Sequence, residues 1–229
     1  MSDPFPRTAI VTGASGDIGR VVADAFRARG CRLVLPVRAD PGALRQAFPE
    51  DEVVTADLRD PAACREVAAR AEQTFGQVDA LVNMAGGFAM HEAVSFEPAQ
   101  LDDQLDLNLR TAVNMTTAVL PGMLDRGAGA VLGTSAGVAA TGGARLVGYA
   151  AAKAALEGYL RSVRAELEPK GLSVSLLIPG GVVDTPGNRE AMPNADPSSW
   201  IDPGALAEAA WFLSGRRPGG RVPELRVGA

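Results

Sequence analysis

The sequence predicts an α/β chain built on a doubly wound parallel sheet, and three observations carry that prediction. Short, near-continuously apolar runs rich in β-branched residues alternate with longer amphipathic stretches along the chain, the pattern left by strands buried on both faces and joined by right-handed helical crossovers. A glycine-rich turn follows the first apolar run and opens the first amphipathic stretch, which is where such a sheet holds its ligand, beyond the carboxyl ends of the strands. The composition is that of a globular protein with one large core: 229 residues, 47% hydrophobic and 21% charged.

In chain order, strands are expected over Thr8–Thr12, Arg32–Val37, Val53–Leu58, Ala80–Met84, Ala130–Thr134 and Ser173–Ile178. Helices are expected over Ile18–Arg29, Pro61–Phe75, Pro98–Leu124, Tyr149–Glu168 and Pro203–Ser214, several with Pro in the first turn and Gly near the end. No linker, repeat or low-complexity tract divides them, so residues 1–229 read as a single domain. The stretch Asp184–Trp200 has three prolines and no clear periodicity. It reads as a long loop over the sheet edge, and a loop of that length in a compact domain is commonly a lid.

Several function classes drop out on composition. The formal charge of -5 offers no basic surface to phosphate backbones or anionic lipid. Cys31 and Cys64 lie far apart, in neither a CxxC motif nor a His-rich neighbourhood, so ordinary partly buried thiols are expected rather than a disulfide framework or a metal site. Residues 1–7 carry no basic region followed by an apolar stretch, and no segment approaches the ~18 uninterrupted apolar residues of a membrane helix; a cytoplasmic location is the expectation. Of the 22 basic residues only Lys153 and Lys170 are lysine, so a lysine kept where arginine otherwise serves is informative.

The turn Gly13-Ala-Ser15-Gly16-Asp17-Ile18-Gly19 runs from strand into helix, the context that makes a glycine pattern a dinucleotide site. Glycines allow a tight turn and the approach of backbone N–H groups to a pyrophosphate, and the helix N-terminus adds partial positive charge. Asp17 is the complication, since a carboxylate beside a pyrophosphate is repelled; Gly16 is expected to supply conformational freedom one residue earlier. Arg38 closes the second strand with no acid immediately before it, so it reads either as a clamp for a ribose 2'-phosphate, favouring NADP(H) with NAD(H) possible, or as a solvated surface charge. Asp57, just before Leu58, would accept from the adenine amino group or cap the helix that begins at Pro61.

Tyr149-Ala-Ala-Ala-Lys153 opens a helix, and its i, i+4 spacing stacks a phenol and an ammonium on one face. A free phenol titrates at about pH 10, so a nearby cation and the oxidised nicotinamide are expected to favour phenolate. Ser135 ends the fifth strand, where its hydroxyl would share a substrate carbonyl with Tyr149 or close a local turn. Asn108 is a polar residue within an apolar helix, positioned either to hold a water beside Lys153 or as a satisfied buried amide. His91, the only histidine, reads as a substrate contact or a solvated loop residue.

These residues together resemble the short-chain dehydrogenase/reductase family over essentially the whole chain. Asn83-Met84-Ala85-Gly86 resembles the family's NNAG segment, and Asn108, Ser135, Tyr149 and Lys153 match its Asn-Ser-Tyr-Lys tetrad. The resemblance implies a Rossmann-type fold, a homotetramer or homodimer, and reversible hydride transfer between a nicotinamide and a small carbonyl or alcohol. It adds Pro179 and Thr185 to the cofactor-binding residues, with Asn83, Ala85, Gly86, Tyr149 and Lys153. Two departures stand out: Asp17 replaces the middle glycine of the family's TGxxxGxG pattern, and one residue is added both between Ser135 and Tyr149 and between Pro179 and Thr185. The segment Asp184–Trp200 is also similar to the DTPxNRxxMPxADxSxW stretch of dihydropteridine reductases, which lack a serine at the Ser135 position. Reduction of a quinonoid dihydropteridine is therefore a second expectation, and a cofactor-bound regulator without turnover a third.

Overall fold

The structure, a computed structural model, describes residues 5–215 and 221–228. Its chain order is β1 (Thr8–Val11), α1 (Asp17–Ala28), β2 (Arg32–Val37), α2 (Gly42–Ala47), β3 (Glu52–Thr55), α3 (Pro61–Phe75), β4 (Ala80–Asn83), α4 (Pro98–Leu105), a π-helical turn (Asp106–Arg110), α5 (Thr111–Arg126), β5 (Gly129–Thr134), α6 (Val138–Thr141), α7 (Val147–Leu167), β6 (Leu172–Pro179), α8 (Pro186–Ala191), α9 (Pro203–Leu213) and β7 (Glu224–Val227). The strands form one seven-stranded parallel sheet in the order β3-β2-β1-β4-β5-β6-β7. The fold is the predicted Rossmann-type α/β architecture. Between β1 and β4 the order reverses, and the crevice opens there.

Alternate residues of each strand feed two cores. On one face Val11, Leu33, Leu35, Val82 and Leu132 pack under α1 and α9; on the other Ile10, Val34, Leu81 and Val131 pack under α3, α5 and α7. Helix α1 buries Gly19, Val22, Ala23 and Phe26 at helical spacing. Phe26 meets Trp211 of α9 edge-on at 5.0 Å between centroids, and Arg29 pairs with Glu208. Helix α3 starts where Asp60 accepts from Ala62 N–H ahead of Pro61, and ends at Gly76 with φ +86°.

Five features depart from expectation. Helices α2 and α6 and strand β7 were not predicted, because six, four and four residues respectively are too short to show a period. The expected helix 98–124 is interrupted by the π-helical turn around Asn108. The expected loop 184–200 contains α8 and a 3-10 turn, Pro197–Ser199, and is closed at its base by a Val183–Ile201 bridge. Cys31 and Cys64 are buried free thiols, pushed up by burial to about 12 and about 11, which fits the inert reading. Among the described residues no helix is long and apolar enough to cross a membrane, and no group of His, Cys, Asp and Glu is placed to hold a metal.

Candidate active site

The glycine turn is built by close approach. Gly13 has φ +70°, and a Cβ there would lie 2.8 Å from the Ala85 nitrogen; a Cβ on Gly19 would lie 2.1 Å from the Gly13 carbonyl oxygen. Both positions exclude a side chain. Gly16 is different: its backbone is extended and a Cβ would make only ordinary contact at 3.5 Å, so the conformational freedom expected of it is not used. Ser15 is exposed and Ile18 is half-buried against the core. No side chain caps the first turn of α1, which leaves its amides available to an anion. The Thr12 hydroxyl accepts from the Met84 and Ala85 amides at 3.1 and 3.0 Å and clamps the end of β1 to the end of β4. Asn83, 4% exposed, has no partner for either amide atom. A buried carboxamide without partners beside a glycine cradle fits a polar ligand, and a dinucleotide matches it in both shape and charge.

Farther along the crevice, Arg38 is exposed at the end of β2 and forms no salt bridge with Asp40 or Asp57 among the described residues. Asp57 is held by the Arg59 guanidinium (2.5–3.1 Å) and by the Arg59 amide (3.0 Å), and those bonds hold its carboxyl down at about 2. The helix cap is Asp60 rather than Asp57, and an adenine amino group at Asp57 would share the carboxylate with Arg59. Leu58 is buried, and its carbonyl accepts from Asn114 at 2.9 Å. Pro179 closes β6, and the buried Thr185 hydroxyl accepts from Asn188 N–H at 3.2 Å to cap α8.

On α7, Tyr149, Lys153 and Glu157 share one face at successive turns. The buried Lys153 Nζ donates to the Thr134 carbonyl at 2.9 Å and lies 5.8 Å from the Tyr149 ring centroid. Asn108 is fully satisfied: its Nδ2 donates to the carbonyls of Gly87 (2.9 Å) and Gln104 (3.1 Å), and its Oδ1 accepts from Gly87 N–H at 3.2 Å. Gly86 lets these groups converge, since a Cβ there would sit 2.7 Å from Asn108 Oδ1 and 3.4 Å from Lys153 Nζ. Phe88 stacks edge-on against Tyr149 at 5.1 Å and is 63% exposed. Burial lowers Lys153 to about 8 and raises Tyr149. The expected shift toward phenolate is thus reversed in the protein alone, because desolvation opposes the charged form of each group; Tyr149 stands as a protonated donor.

Ser135 requires correction. Its hydroxyl donates to the buried Glu157 carboxylate at 2.6 Å, and that carboxylate also accepts from Arg161 at 2.8 Å. The side chain is 2% exposed and points into the β5–α7 interface, two helical turns from Tyr149. The strand period explains it: Val131, Gly133 and Ser135 all face α7, so a terminal serine at this register is turned into the core. Alanine occupies position 136, the next residue in the chain. His91 is corrected as well. Its amide donates to the Arg145 carbonyl at 2.8 Å and its ring packs 5.7 Å from Phe96, so it is packed rather than solvated and braces the loop before Tyr149. Sequence reasoning missed Glu157, Thr134, Gln104 and Arg59, of which Glu157 carried a signal, as an acid at i+4 from Lys153; Phe88 was legible only within the Ala85-Gly86-Gly87-Phe88 segment, which is similar to dihydropteridine reductases.

Comparison with known proteins adds an independent line. Residues 7–196 match the family model described as short chain dehydrogenase. A short chain dehydrogenase of Pseudocercospora fijiensis is 35% identical over 77% of this chain, an alignment that spans 60% of the fungal protein. The 3-oxoacyl-[acyl-carrier-protein] reductase FabG of Escherichia coli is 30% identical over 76% of this chain and 72% of its own. A solved structure described as a short chain dehydrogenase/reductase family protein superposes with a TM-score of 0.87 at 29% identity, covering 98% of this chain and 97% of the other. One from Burkholderia xenovorans, described as a putative short-chain dehydrogenase/reductase, gives 0.84 at 28% identity, covering 99% and 97%.

The Ser135–Glu157 bond yields a stability prediction. Ser135→Ala leaves a buried carboxylate short of a donor and should cost roughly 1–3 kcal/mol, read as a lowered denaturant midpoint with an unchanged slope. An unaltered midpoint would mean that solvent or Arg161 replaces the hydroxyl.

Proposed function

The chain belongs to the short-chain dehydrogenase family, and on that premise we propose that it reduces a small carbonyl compound, or oxidises the corresponding alcohol, with a preference for NADP(H). Oxidoreductase chemistry with a nicotinamide dinucleotide follows from the family; the carbonyl substrate, the NADP(H) preference, the residue roles and a homodimeric or homotetrameric state in the cytoplasm are the proposal. The observation that carries it is the approach of Asn108 and Lys153 to Gly86, with Tyr149 one helical turn before Lys153 on the same face of α7.

The dinucleotide supplies or takes the hydride when bound. The rest falls to side chains. Gly13, Gly19 and the α1 amides receive the pyrophosphate, Asn83, Ala85 and Gly86 shape the nicotinamide end, and Pro179 and Thr185 border it. Tyr149 gives its hydroxyl proton to the substrate oxygen in reduction and takes it back in oxidation. Lys153 steadies the resulting charge on Tyr149, while Thr134 and Asn108 fix where the ammonium and the Gly86–Gly87 backbone stand. Phe88, exposed beside Tyr149, offers an aromatic edge to the substrate.

A second reading is favoured by the position of Ser135. With that hydroxyl turned toward Glu157 and alanine at 136, the site offers no serine donor to a carbonyl oxygen, which suits an acceptor that takes hydride into a ring system, such as a quinonoid dihydropteridine. The two readings part on a substrate panel with NADPH: ketones turned over faster than the quinonoid pterin support the first, and the reverse ranking supports the second.

Three expectations follow for variants and pH. Tyr149→Phe should lower kcat below about a tenth of wild type while cofactor Kd stays within a few-fold, because the hydroxyl acts only on the transition state; retained turnover removes Tyr149 from the chemistry. The Lys153 ammonium is present below about pH 8 and lost above it, so kcat/KM for reduction should be level at lower pH and fall as pH rises through that value, whereas a flat profile to pH 10 would show that the charge is not used. At Arg38, a charge-assisted contact to a 2'-phosphate is worth roughly 1.5–3 kcal/mol, or ~10- to 150-fold in Kd. NADPH should bind more tightly than NADH to wild type, and Val37→Asp combined with Arg38→Asn should reverse the order. Equal wild-type affinities would place Arg38 in solvent.

A further inference from the structure

Asp17 is the residue that the glycine turn alone does not explain. It is the first residue of α1, among amides that no side chain caps. Its carboxylate Oδ2 accepts from the Gly187 amide of α8 at 3.2 Å, across 170 residues of sequence. No cation answers its charge, since Arg20, the nearest on the helix, is paired with Asp24 at 2.9 Å and Asp17 forms no salt bridge among the described residues. Gly187 is fitted to this contact: a Cβ there would lie 3.2 Å from the same oxygen.

Helix α8 needs outside support. Six residues are too few for a helix to persist in water by itself, and its local side-chain bonds are the Thr185 cap, Asn188 Nδ2 donating to the Val183 carbonyl at 2.8 Å and the Asp184–Arg189 pair at 2.6 Å. The bond to Asp17 is its hydrogen-bonded link to the glycine turn. It fastens the 184–200 segment to the turn that receives the pyrophosphate.

We infer that Asp17 is a positioning residue with two linked effects: it tethers α8 over the cofactor crevice, and its negative charge, paired with no cation among the described residues, weakens retention of the dinucleotide. The hydrogen bond holds the segment in register with Thr185 and Pro179 at the nicotinamide end. The charge opposes the pyrophosphate at short range, and because Asp17 is exposed the repulsion is screened as ionic strength rises. Tethering and affinity therefore pull in opposite directions at one side chain, which suits an enzyme that must release its oxidised or reduced cofactor on every cycle. The charge effect rests on dinucleotide binding in the proposed function; the tether does not.

Two variants separate the effects. Asp17→Asn keeps an acceptor oxygen and removes the charge, while Asp17→Gly removes both. The probes are NADPH and NADH titrated by their fluorescence, and hydrogen exchange of the peptide spanning 184–200 without cofactor. Both variants should bind both dinucleotides tighter, by roughly threefold to tenfold at low salt, with the gain shrinking as ionic strength rises. Exchange across 184–192 should match wild type in Asp17→Asn and accelerate at least several-fold in Asp17→Gly. Unchanged or weaker dinucleotide binding in Asp17→Asn overturns the charge effect, and wild-type exchange in Asp17→Gly overturns the tether. A wild-type chain that binds neither dinucleotide sinks the proposed function and the charge effect together, and the exchange measurement still decides the tether.

Discussion

Taking a lysine ammonium out of water costs several kcal/mol unless its protons find acceptors, and the candidate site of this protein is organised around meeting that cost at Lys153. The Thr134 carbonyl, last in its strand, receives one proton at 2.9 Å. Gly86 lies beside the ammonium, and a Cβ there would strike Asn108 Oδ1 at 2.7 Å and touch Nζ at 3.4 Å. Asn108 in turn has both amide ends spent on Gly87 and Gln104, which holds the Gly86–Gly87 backbone in place. The π-helical turn that carries Asn108 widens the helix where the carboxamide must face inward, a common use of such turns. A strand end, a glycine and an irregular helical turn are thus mutually required by one buried charge.

Much of this was readable in the residues alone, for a physical reason. The parallel sheet buries both faces of its strands, so six of seven strands announced themselves as apolar runs, and the helices with apolar stripes did likewise. Gly13 and Gly19 were identifiable because their steric demand leaves no substitute, and Tyr149 with Lys153 because a lysine is scarce in this chain. What escaped was of another kind. Strand β7 is held by its pairing with β6 and by Arg161 to Glu224 at 2.8 Å, neither of which shows in four residues of sequence.

The serine was misread through register. A residue at the end of a strand faces one side of the sheet or the other according to parity, and a shift of one position exchanges crevice for core. The sequence carries one extra residue between Ser135 and Tyr149, and the fold turns Ser135 to Glu157. At Asp57 a neighbour adds to the picture: Arg59, two residues on, shares the carboxylate. Both cases show that a side chain's type states what it can bond, while its neighbours decide what it does bond.

The packing of α1 against α9 has a consequence for how the chain is made. Phe26 and Arg29 find Trp211 and Glu208 only after some 180 further residues have been synthesised. During translation at roughly 5–20 residues per second, the apolar stripe of α1 has no native cover from that side for on the order of ten seconds or more. Contacts of such sequence separation also close late and slowly. The first helix of the protein, which opens the glycine turn, is therefore the one whose burial waits for nearly the last, and the emerging chain is most exposed to misassociation at the element on which its finished site depends.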